Sequence, residues 1–316
     1  MLYVLLQSGP NLAYNALVAG GQGSKGDRLD IHVVGMRFWN DQLADDGAVQ
    51  IIDEGRRVCE EIIGGPVTYG EPGMKDEDRS DDRVTNLGTL GGAIAEEVAA
   101  GARAGKRVVA LGSNCTTLPG ILGGLQEAHG VESRLGLVWF DAHGDFNTPR
   151  TTLSGMLGGM PVAVSAGLCY PNWREASHLV APIPTDRIVM VDVRNLDVAE
   201  EQLIRATDVQ IARIAPGFAG DRPLDEAVAE LAAHCDAIYL HIDSDILDAS
   251  LTPNHGTKEP NGPNVAETVA AIRTVLDTGK VVALGLVSVN SAGEGGDVSL
   301  ATSLEMLRGS LEGWSA

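Results

Sequence analysis

The chain has 316 residues, 44% of them apolar, which is typical of a soluble globular protein with a sizeable core. Its net charge of −20 argues against nucleic acid and anionic membranes as partners, because both are negatively charged. No stretch approaches the roughly 18 apolar residues of a membrane span, and the apolar run within residues 1–10 is too short for a signal peptide. The four cysteines form no CxxC pair, so we expect a cytoplasmic protein without disulfides.

Segments typical of helices and strands alternate along the chain. Apolar residues at helical spacing from Val84 to Val98 predict a helix, and Arg107–Leu111 predicts a strand that follows it. A second helix is expected to begin near Pro119. The later predicted elements are strands at Leu135–Phe140, Arg187–Val193, Ala237–Ile242 and Val281–Val289, and a helix from Val265 to Leu276. This alternation predicts a mostly parallel sheet covered by helices on both faces, in a single domain over residues 1–316.

Two of the predicted strands end in clusters of ionisable residues. These clusters consist of Asp141, His143 and Asp145 after one strand and Asp243, Asp245 and Asp248 after the other. In a parallel sheet the ligand site lies at the carboxyl ends of the strands, so the clusters are expected to meet. Carboxylates with an imidazole can enclose two divalent cations, with Mn²⁺ favoured over Zn²⁺, Fe²⁺, Co²⁺ or Ni²⁺. The alternative, polar strand caps without a metal, leaves these ionisable groups uncompensated at hydrophobic strand ends.

Four motifs carry a resemblance to a known family. They read DAHGDFNTP (141–149), LSGMLGGMPV (153–162), HIDSDILD (241–248) and TPNHGTKEPNG (252–262). In this order and spacing they resemble the ureohydrolases, which comprise arginases, agmatinases and their relatives. The resemblance covers the second two-thirds of the chain. It implies a three-layer α/β/α fold around a mostly parallel eight-stranded sheet, assembly into a homotrimer or hexamer, and hydrolysis of a guanidine C–N bond by hydroxide bridging two Mn²⁺ ions.

The resemblance also implies a set of metal ligands. Asp141 and Asp243 match carboxylates that bridge both metals, and Asp145 matches a ligand of the first metal that also takes or passes the proton of the attacking water. His143, which we include among the catalytic residues, and Asp245 match ligands of the second metal. The family's remaining ligand is a His in a Gly-Gly-Asp-His motif.

Residues 112–115 of this chain read Gly-Ser-Asn-Cys, so Cys115 stands where the family has that His. A thiolate can bind Mn²⁺, but as a softer ligand it favours Zn²⁺ or Fe²⁺. A buried thiol can instead stay protonated as an inert core residue, and both interpretations remain open. Family members that act on Nω-hydroxy-L-arginine are the nearest parallel to a Cys at this position.

Two positions that face the guanidine group in the family also differ. Gly158 replaces the proton-shuttling His, and Ser288 replaces the Glu that pairs with the guanidinium. Loss of that Glu is expected to weaken guanidinium binding by about 2–5 kcal/mol. Glu259 or Glu294 is a possible substitute on a nearby loop.

The positions that hold an amino-acid substrate are largely retained. Asn147 and Ser154 match groups that hydrogen-bond an α-carboxylate, and Asp197 matches the carboxylate that receives the α-ammonium group. A third contact to the carboxylate, normally Asn, is Met156 in this chain. The retained residues favour an α-amino acid over a decarboxylated amine such as agmatine.

The leading hypothesis is a metal-dependent hydrolase of a guanidine or amidine C–N bond in an arginine-like amino acid. N-hydroxy-L-arginine is favoured over L-arginine, because N-hydroxylation lowers guanidinium basicity and makes the missing Glu and His less damaging. The products would be ornithine with hydroxyurea or urea. The alternatives are an agmatinase-like hydrolase of another amidine or amide, and a catalytically silent homologue with a structural or ligand-sensing role. Survival of the metal carboxylates favours an active enzyme.

Overall fold

The computed structural model describes residues 29–315, so the expectation for residues 1–10 lies outside the described range. The strands are β1 (Ile31–Met36), β2 (Phe38–Trp39), β3 (Gln42–Leu43), β4 (Thr68–Gly70), β5 (Arg107–Gly112), β6 (Leu135–Phe140), β7 (Ile188–Val191), β8 (Gln210–Arg213), β9 (Arg222–Pro223), β10 (Ala237–Asp243) and β11 (Val281–Val287). Nine of them form one sheet in the order β4-β1-β5-β11-β10-β6-β7-β8-β9, and every neighbouring pair is parallel. Strands β2 and β3 form a separate antiparallel hairpin.

Helices connect the strands. They are α1 (Asp46–Ile63), α2 (Arg83–Arg103), α3 (Leu118–His129), α4 (Pro161–Ser165), α5 (Pro171–Ala176), α6 (Val198–Arg205), α7 (Leu224–His234), α8 (Val265–Leu276) and α9 (Gly296–Ser315). No helix between residues 29 and 315 is long and apolar enough to cross a bilayer.

The core lies on both faces of the sheet because alternate strand residues point to opposite sides. In β6, Leu135, Leu137 and Trp139 belong to the cluster that contains the apolar faces of α2 and α3. Val138 and Phe140 belong to the other cluster, with α1, α7, α8 and α9. The predicted three-layer α/β/α architecture is therefore confirmed.

The predicted strands and helices are present, with small changes at their ends. Two strands stop earlier than the apolar pattern predicts, because Asp192 and Ser288 adopt left-handed backbone conformations with φ of 58° and 61°. The sheet has nine strands instead of eight. Its edge strand β9 contains only two residues, which is too short to give a periodic sequence signal.

Candidate active site

The carboxyl ends of four central strands carry the ionisable residues. Strands β5, β11, β10 and β6 are consecutive neighbours in the sheet, so the segments that follow them lie side by side. A cavity of about 550 Å³ opens at this edge. Asp248, which the sequence placed in the same cluster as Asp243 and Asp245, does not line the cavity. The predicted site residues that do line it are Cys115, Asp141, His143, Asp145, Asn147, Ser154, Gly158, Asp197, Asp243, Asp245 and Ser288.

Potential metal-ligating atoms form three overlapping groups in the cavity. Within each group the atoms lie no more than 4.8 Å apart, and the groups are Cys115–Asp141–Asp145, Asp141–His143–Asp245 and Asp243–Asp245–His255. Shared carboxylates therefore join the groups into one cluster. The first two groups contain residues expected at the two metal positions, although Asp243, expected at both, is in neither. The third group contains His255, which sequence reasoning missed.

His143 is held by carboxylates on both sides of its ring. Its Nδ1 lies 3.1 Å from Asp245 Oδ2 and 3.3 Å from Asp141 Oδ1, and its Nε2 lies 3.6 Å from Glu259 Oε1. Burial alone would lower the pKa of His143, but Asp141 and Asp245 raise that pKa to about 12. In the same way the two histidines His143 and His255 overcome the effect of burial and hold the pKa of Asp245 below its ordinary value.

The pKa values of Asp141 and Asp145 shift in the opposite direction. Burial and the neighbouring carboxylates Asp245 and Asp243 raise the pKa of Asp141 well above its ordinary value. Burial is also the main cause of the raised pKa of Asp145, to which Asp243 contributes. A site that favours protonated carboxylates in this way gains from binding divalent cations instead of protons.

Cys115 lies at the bottom of the cluster and is buried. Its Sγ lies 3.0 Å from Asp243 Oδ2 and 3.6 Å from Asp141 Oδ2, within hydrogen-bond distance for a thiol donor. Burial and the carboxylates around it raise the pKa of the Cys115 thiol well above its ordinary value. The group is therefore placed as a ligand would be, but without a cation it favours the protonated form.

His255 has a defined orientation that the sequence did not reveal. The Thr257 N–H donates to its Nδ1 at 3.2 Å, so the neutral ring carries its proton on Nε2. That Nε2 is buried, lies 3.3 Å from Asp243 Oδ1 and has no hydrogen-bond partner among the described atoms. The only signal available in the sequence was a His within TPNHGTKEPNG, a stretch that drew attention as a family motif and not for its imidazole.

Asn147 and Asp197, two of the residues expected to hold an amino acid, are in contact. The Asn147 Nδ2 donates to Asp197 Oδ2 at 3.2 Å, and Ser154 lines the same cavity. Glu200 also lines the cavity and accepts the backbone N–H groups of Asp197 and Phe146. These bonds fix the start of α6, and with it Asp197, relative to the loop after β6.

The positions expected to face a guanidine group are open or occupied by a small side chain. A Cβ added at Gly158 would meet nothing closer than Met156 side-chain atoms at 3.8 Å, so this part of the cavity has room. The Ser288 Oγ donates to Asp243 Oδ2 at 2.5 Å. Glu259 accepts a hydrogen bond from Asn195 at 2.5 Å and lies beside His143, while Glu294 is exposed. Neither Glu lines the cavity, so the structure does not place a substitute carboxylate there.

Left-handed backbone conformations occur at Asp145 and Ser288, which line the cavity, and at Ser113, which precedes the lining residues Asn114 and Cys115. Ser113, Asp145 and Ser288 have φ of 58°, 45° and 61°, values that are uncommon for residues with a Cβ. The Ser288 N–H donates to the Ser113 carbonyl at 2.9 Å, which links two of these turns. Such strained positions persist where the surroundings fix them, and they concentrate at functional sites.

The donor set fits divalent cations. Four carboxylates, two imidazoles and a thiol form three groups that share members, and the ligand atoms within each group lie within 4.8 Å of one another. His255 Nε2 is a buried polar atom of this cluster without a hydrogen-bond partner among the described atoms. Carboxylate oxygens with imidazole suit Mn²⁺ and related ions, and the thiol adds a softer ligand. The fold and the cluster define a parallel α/β protein with a candidate cation-binding site at the carboxyl ends of its central strands.

Residues 32–306 match the profile of the arginase family, and the chain belongs to this family of hydrolases. It is 29% identical to an arginase of Bacillus caldovelox over 218 residues, which cover 67% of this chain and 72% of that protein. An arginase of Entamoeba histolytica in complex with L-ornithine has the same fold, with a TM-score of 0.76 at 18% identity over 90% of this chain and 99% of the other. A formimidoylglutamase of Bacillus subtilis superimposes with a TM-score of 0.69 at 16% identity, covering 93% and 89% of the two chains.

Proposed function

We propose that this arginase-family chain hydrolyses the guanidine or amidine C–N bond of an arginine-like amino acid, with N-hydroxy-L-arginine preferred over L-arginine. Water adds its oxygen to the guanidine carbon, the bond to the side-chain nitrogen breaks, and that nitrogen receives a proton. The products are ornithine with hydroxyurea or, from arginine, urea. The expected trimer or hexamer and the cytoplasmic location remain predictions.

One observation carries the proposal. The metal-ligand cluster and the Asn147–Asp197 pair line the same cavity, so one small molecule can reach both. Asp197 offers a carboxylate for an α-ammonium group, and Asn147 and Ser154 offer polar groups for an α-carboxylate. The related arginase from Entamoeba histolytica is described in complex with L-ornithine, an amino acid of this class.

The cations, with Mn²⁺ as our first expectation, would be held by Cys115, Asp141, His143, Asp145, Asp243 and Asp245. Two such ions would supply Lewis-acid activation of the attacking water. The protein's own groups then orient the reactants. Asp145 lies at the cluster to accept a proton, and His255 lines the same cavity with its Nε2 at 3.3 Å from Asp243 Oδ1.

The preference for an N-hydroxylated guanidine rests on the groups beside the cluster. Ser288 offers no charge to a guanidinium, and Gly158 offers no imidazole to the leaving nitrogen. A less basic guanidine needs neither group to the same extent. General acid catalysis contributes roughly 10²–10⁴-fold to a rate, so its loss at position 158 should slow arginine most.

The test is steady-state kinetics of the Mn²⁺-loaded protein with N-hydroxy-L-arginine, L-arginine and agmatine. We expect N-hydroxy-L-arginine to have the highest kcat/KM. Gly158→His should raise the turnover of arginine by about 10²-fold, because the cavity has room for the ring. Ser154→Ala removes a group assigned to the α-carboxylate, so it should raise KM for both amino acids and leave agmatine, which has no α-carboxylate, comparatively unaffected.

Absence of turnover with all three substrates, despite two bound metals per chain, would overturn the proposal and favour the silent homologue. Agmatine as the best substrate would overturn the assignment of Asn147 and Ser154 to an α-carboxylate and favour an agmatinase-like enzyme. Equal activity with arginine and N-hydroxy-L-arginine would remove only the preference for the N-hydroxylated guanidine.

A further inference from the structure

A chain of three buried side chains lies beneath the metal-ligand cluster. His241 Nε2 is 3.5 Å from Cys115 Sγ, and His241 Nδ1 is 3.0 Å from the Tyr239 hydroxyl. Tyr239 and His241 are fully buried and do not line the cavity, so they cannot touch a substrate there. Their polar atoms are directed at each other and at the sulfur.

The direction of the hydrogen bonds follows from counting protons. The thiol has one proton, and its nearest acceptor is Asp243 Oδ2 at 3.0 Å. His241 must then present Nε2–H to the sulfur, because two lone pairs facing each other would repel. The ring is fully buried and stacked on Trp139, an environment that disfavours a charged imidazole, so the ring is neutral. Its Nδ1 therefore accepts, and the Tyr239 hydroxyl donates.

Residues of the two neighbouring strands fix the positions of His241 and Tyr239. In the register of β10 with β6, His241 pairs with Trp139, and the two rings stack with centroids 3.9 Å apart and an interplanar angle of 7°. On the other side His241 pairs with Gly285 of β11. A Cβ at Gly285 would lie 2.1 Å from the Tyr239 hydroxyl oxygen, so only glycine leaves room for the donor.

We propose that His241 is a positioning residue that donates Nε2–H to the Cys115 sulfur and so orients it as a metal ligand, with Tyr239 fixing the donor tautomer. The inference rests on the metal site of the proposed function and extends it by two residues. An N–H donor to a ligand sulfur stabilises the thiolate and restrains its direction. Loss of such an outer partner usually weakens metal binding by about 10–100-fold.

The test separates hydrogen bonding from packing with two variants of one residue. His241→Gln keeps an N–H donor at a reach similar to Nε2 but loses the stacked ring, whereas His241→Phe keeps the stacked ring and loses the donor. Each metal-free protein is titrated with Co²⁺, and the sulfur-to-cobalt charge-transfer band is recorded with the dissociation constant. Cys115→Ser identifies the part of the band that belongs to Cys115.

We expect the wild type and His241→Gln to show the band. His241→Phe should weaken the Co²⁺ affinity of this position by about 10–100-fold and reduce the band. The opposite order, with Phe intact and Gln impaired, would show that His241 acts by packing and overturn the proposal. An identical band and affinity in both variants would overturn it as well.

Tyr239→Phe keeps the test valid if a His241 variant fails to fold, because it removes only the hydroxyl that sets the tautomer. Like His241→Phe, this variant should weaken Co²⁺ binding while the far-ultraviolet circular dichroism stays unchanged. An unchanged Co²⁺ affinity would contradict the role of Tyr239 in fixing the His241 tautomer. A wild-type protein that hydrolyses its substrate with Mn²⁺ but shows no sulfur band would reject this inference and leave the proposed function intact. A sulfur band without any turnover would reject the proposed function and leave this inference intact.

Discussion

The two sides of the candidate metal site differ in how many histidines lie near their buried carboxylates. The imidazole side, formed by Asp141, His143 and Asp245, pairs each buried carboxylate with a nearby histidine. The thiol side, formed by Cys115, Asp141 and Asp145, contains no histidine and is almost fully buried. Burial and like charges raise the pKa values of Asp145 and of Asp141, the carboxylate that the two sides share.

This difference shows how replacing one histidine ligand by Cys115 changes what the surrounding residues must supply. A histidine supplies a ligand atom that is neutral in its metal-binding form, but a thiol must lose its proton to bind well. His241 Nε2 lies 3.5 Å from the Cys115 sulfur and can donate a hydrogen bond to it, whereas the imidazole side does not need such a donor. We therefore expect the imidazole side to bind cations more tightly and the thiol side to be more selective and more sensitive to pH.

Asp245→Asn should have the largest effect, because it removes the counter-charge of His143 and His255 from the imidazole side. Breaking a buried charged pair costs about 3–5 kcal/mol in the free energy of unfolding, and turnover should fall to background. Metal analysis should find fewer than two Mn²⁺ per chain. Asp248→Asn is the matched control, since Asp248 follows the same strand but does not line the cavity. Two metals and normal turnover in Asp245→Asn would show that the imidazole side is not a metal site.

Cys115→His should remove the difference between the two sides. An imidazole suits Mn²⁺ better than a thiolate does, so the weaker Mn²⁺ should bind about tenfold more tightly, equivalent to ~1.4 kcal/mol. Isothermal titration calorimetry of the metal-free protein measures this directly. Cys115→Ser, which lacks both the thiolate and the imidazole, should bind the weaker ion less well than the wild type. Equal affinity in the wild type and both variants would mean that position 115 holds no ligand.

The pH dependence of metal-induced stabilisation sharpens the comparison. The raised pKa values of Asp141 and Asp145 mean that protonation stabilises the metal-free fold, and this contribution is lost as pH rises above the unfolded-state pKa of about 3.9. His143 acts in the same direction, since its contribution is complete below pH 6.5 and is lost up to a pKa of about 12. Cations replace these protons. The rise in Tm on adding Mn²⁺ should therefore be several degrees larger at about pH 8 than at about pH 5, and a rise that shrinks with pH would contradict this assignment.

Glu259→Gln should have a smaller effect than Asp245→Asn. Glu259 lies 3.6 Å from His143 Nε2, with its side chain partly exposed, so it orients the imidazole without binding a metal. Loss of this partner should weaken metal binding at the imidazole side by about tenfold, the lower end of the effect of such residues. Glu294→Gln is the control, because Glu294 is exposed and outside the cavity. Equal effects of the two variants would assign Glu259 no specific role.

Much of the site could be predicted because its residues follow strands with strong apolar patterns. Asp141, His143 and Asp145 come directly after Leu135–Phe140, a six-residue run that is buried throughout. The ligand site of a parallel sheet lies at the carboxyl ends of its strands, so this cluster was expected to meet Asp243 and Asp245. A substitute for the missing Glu could not be predicted in this way, because the direction in which a loop side chain such as Glu259 points leaves no periodic signal in the sequence.

The sequence by itself determined the α/β architecture, the convergence of the ionisable residues and the presence of a Cys at position 115. Only the tertiary structure decided what that Cys contacts. His241 lies two residues before Asp243 and reads as one more residue of a buried strand, yet its neighbours Trp139 and Gly285 come from distant segments. The physical reason is that strand patterns specify which face a residue joins, whereas strand order and register decide which polar atoms come within hydrogen-bond distance.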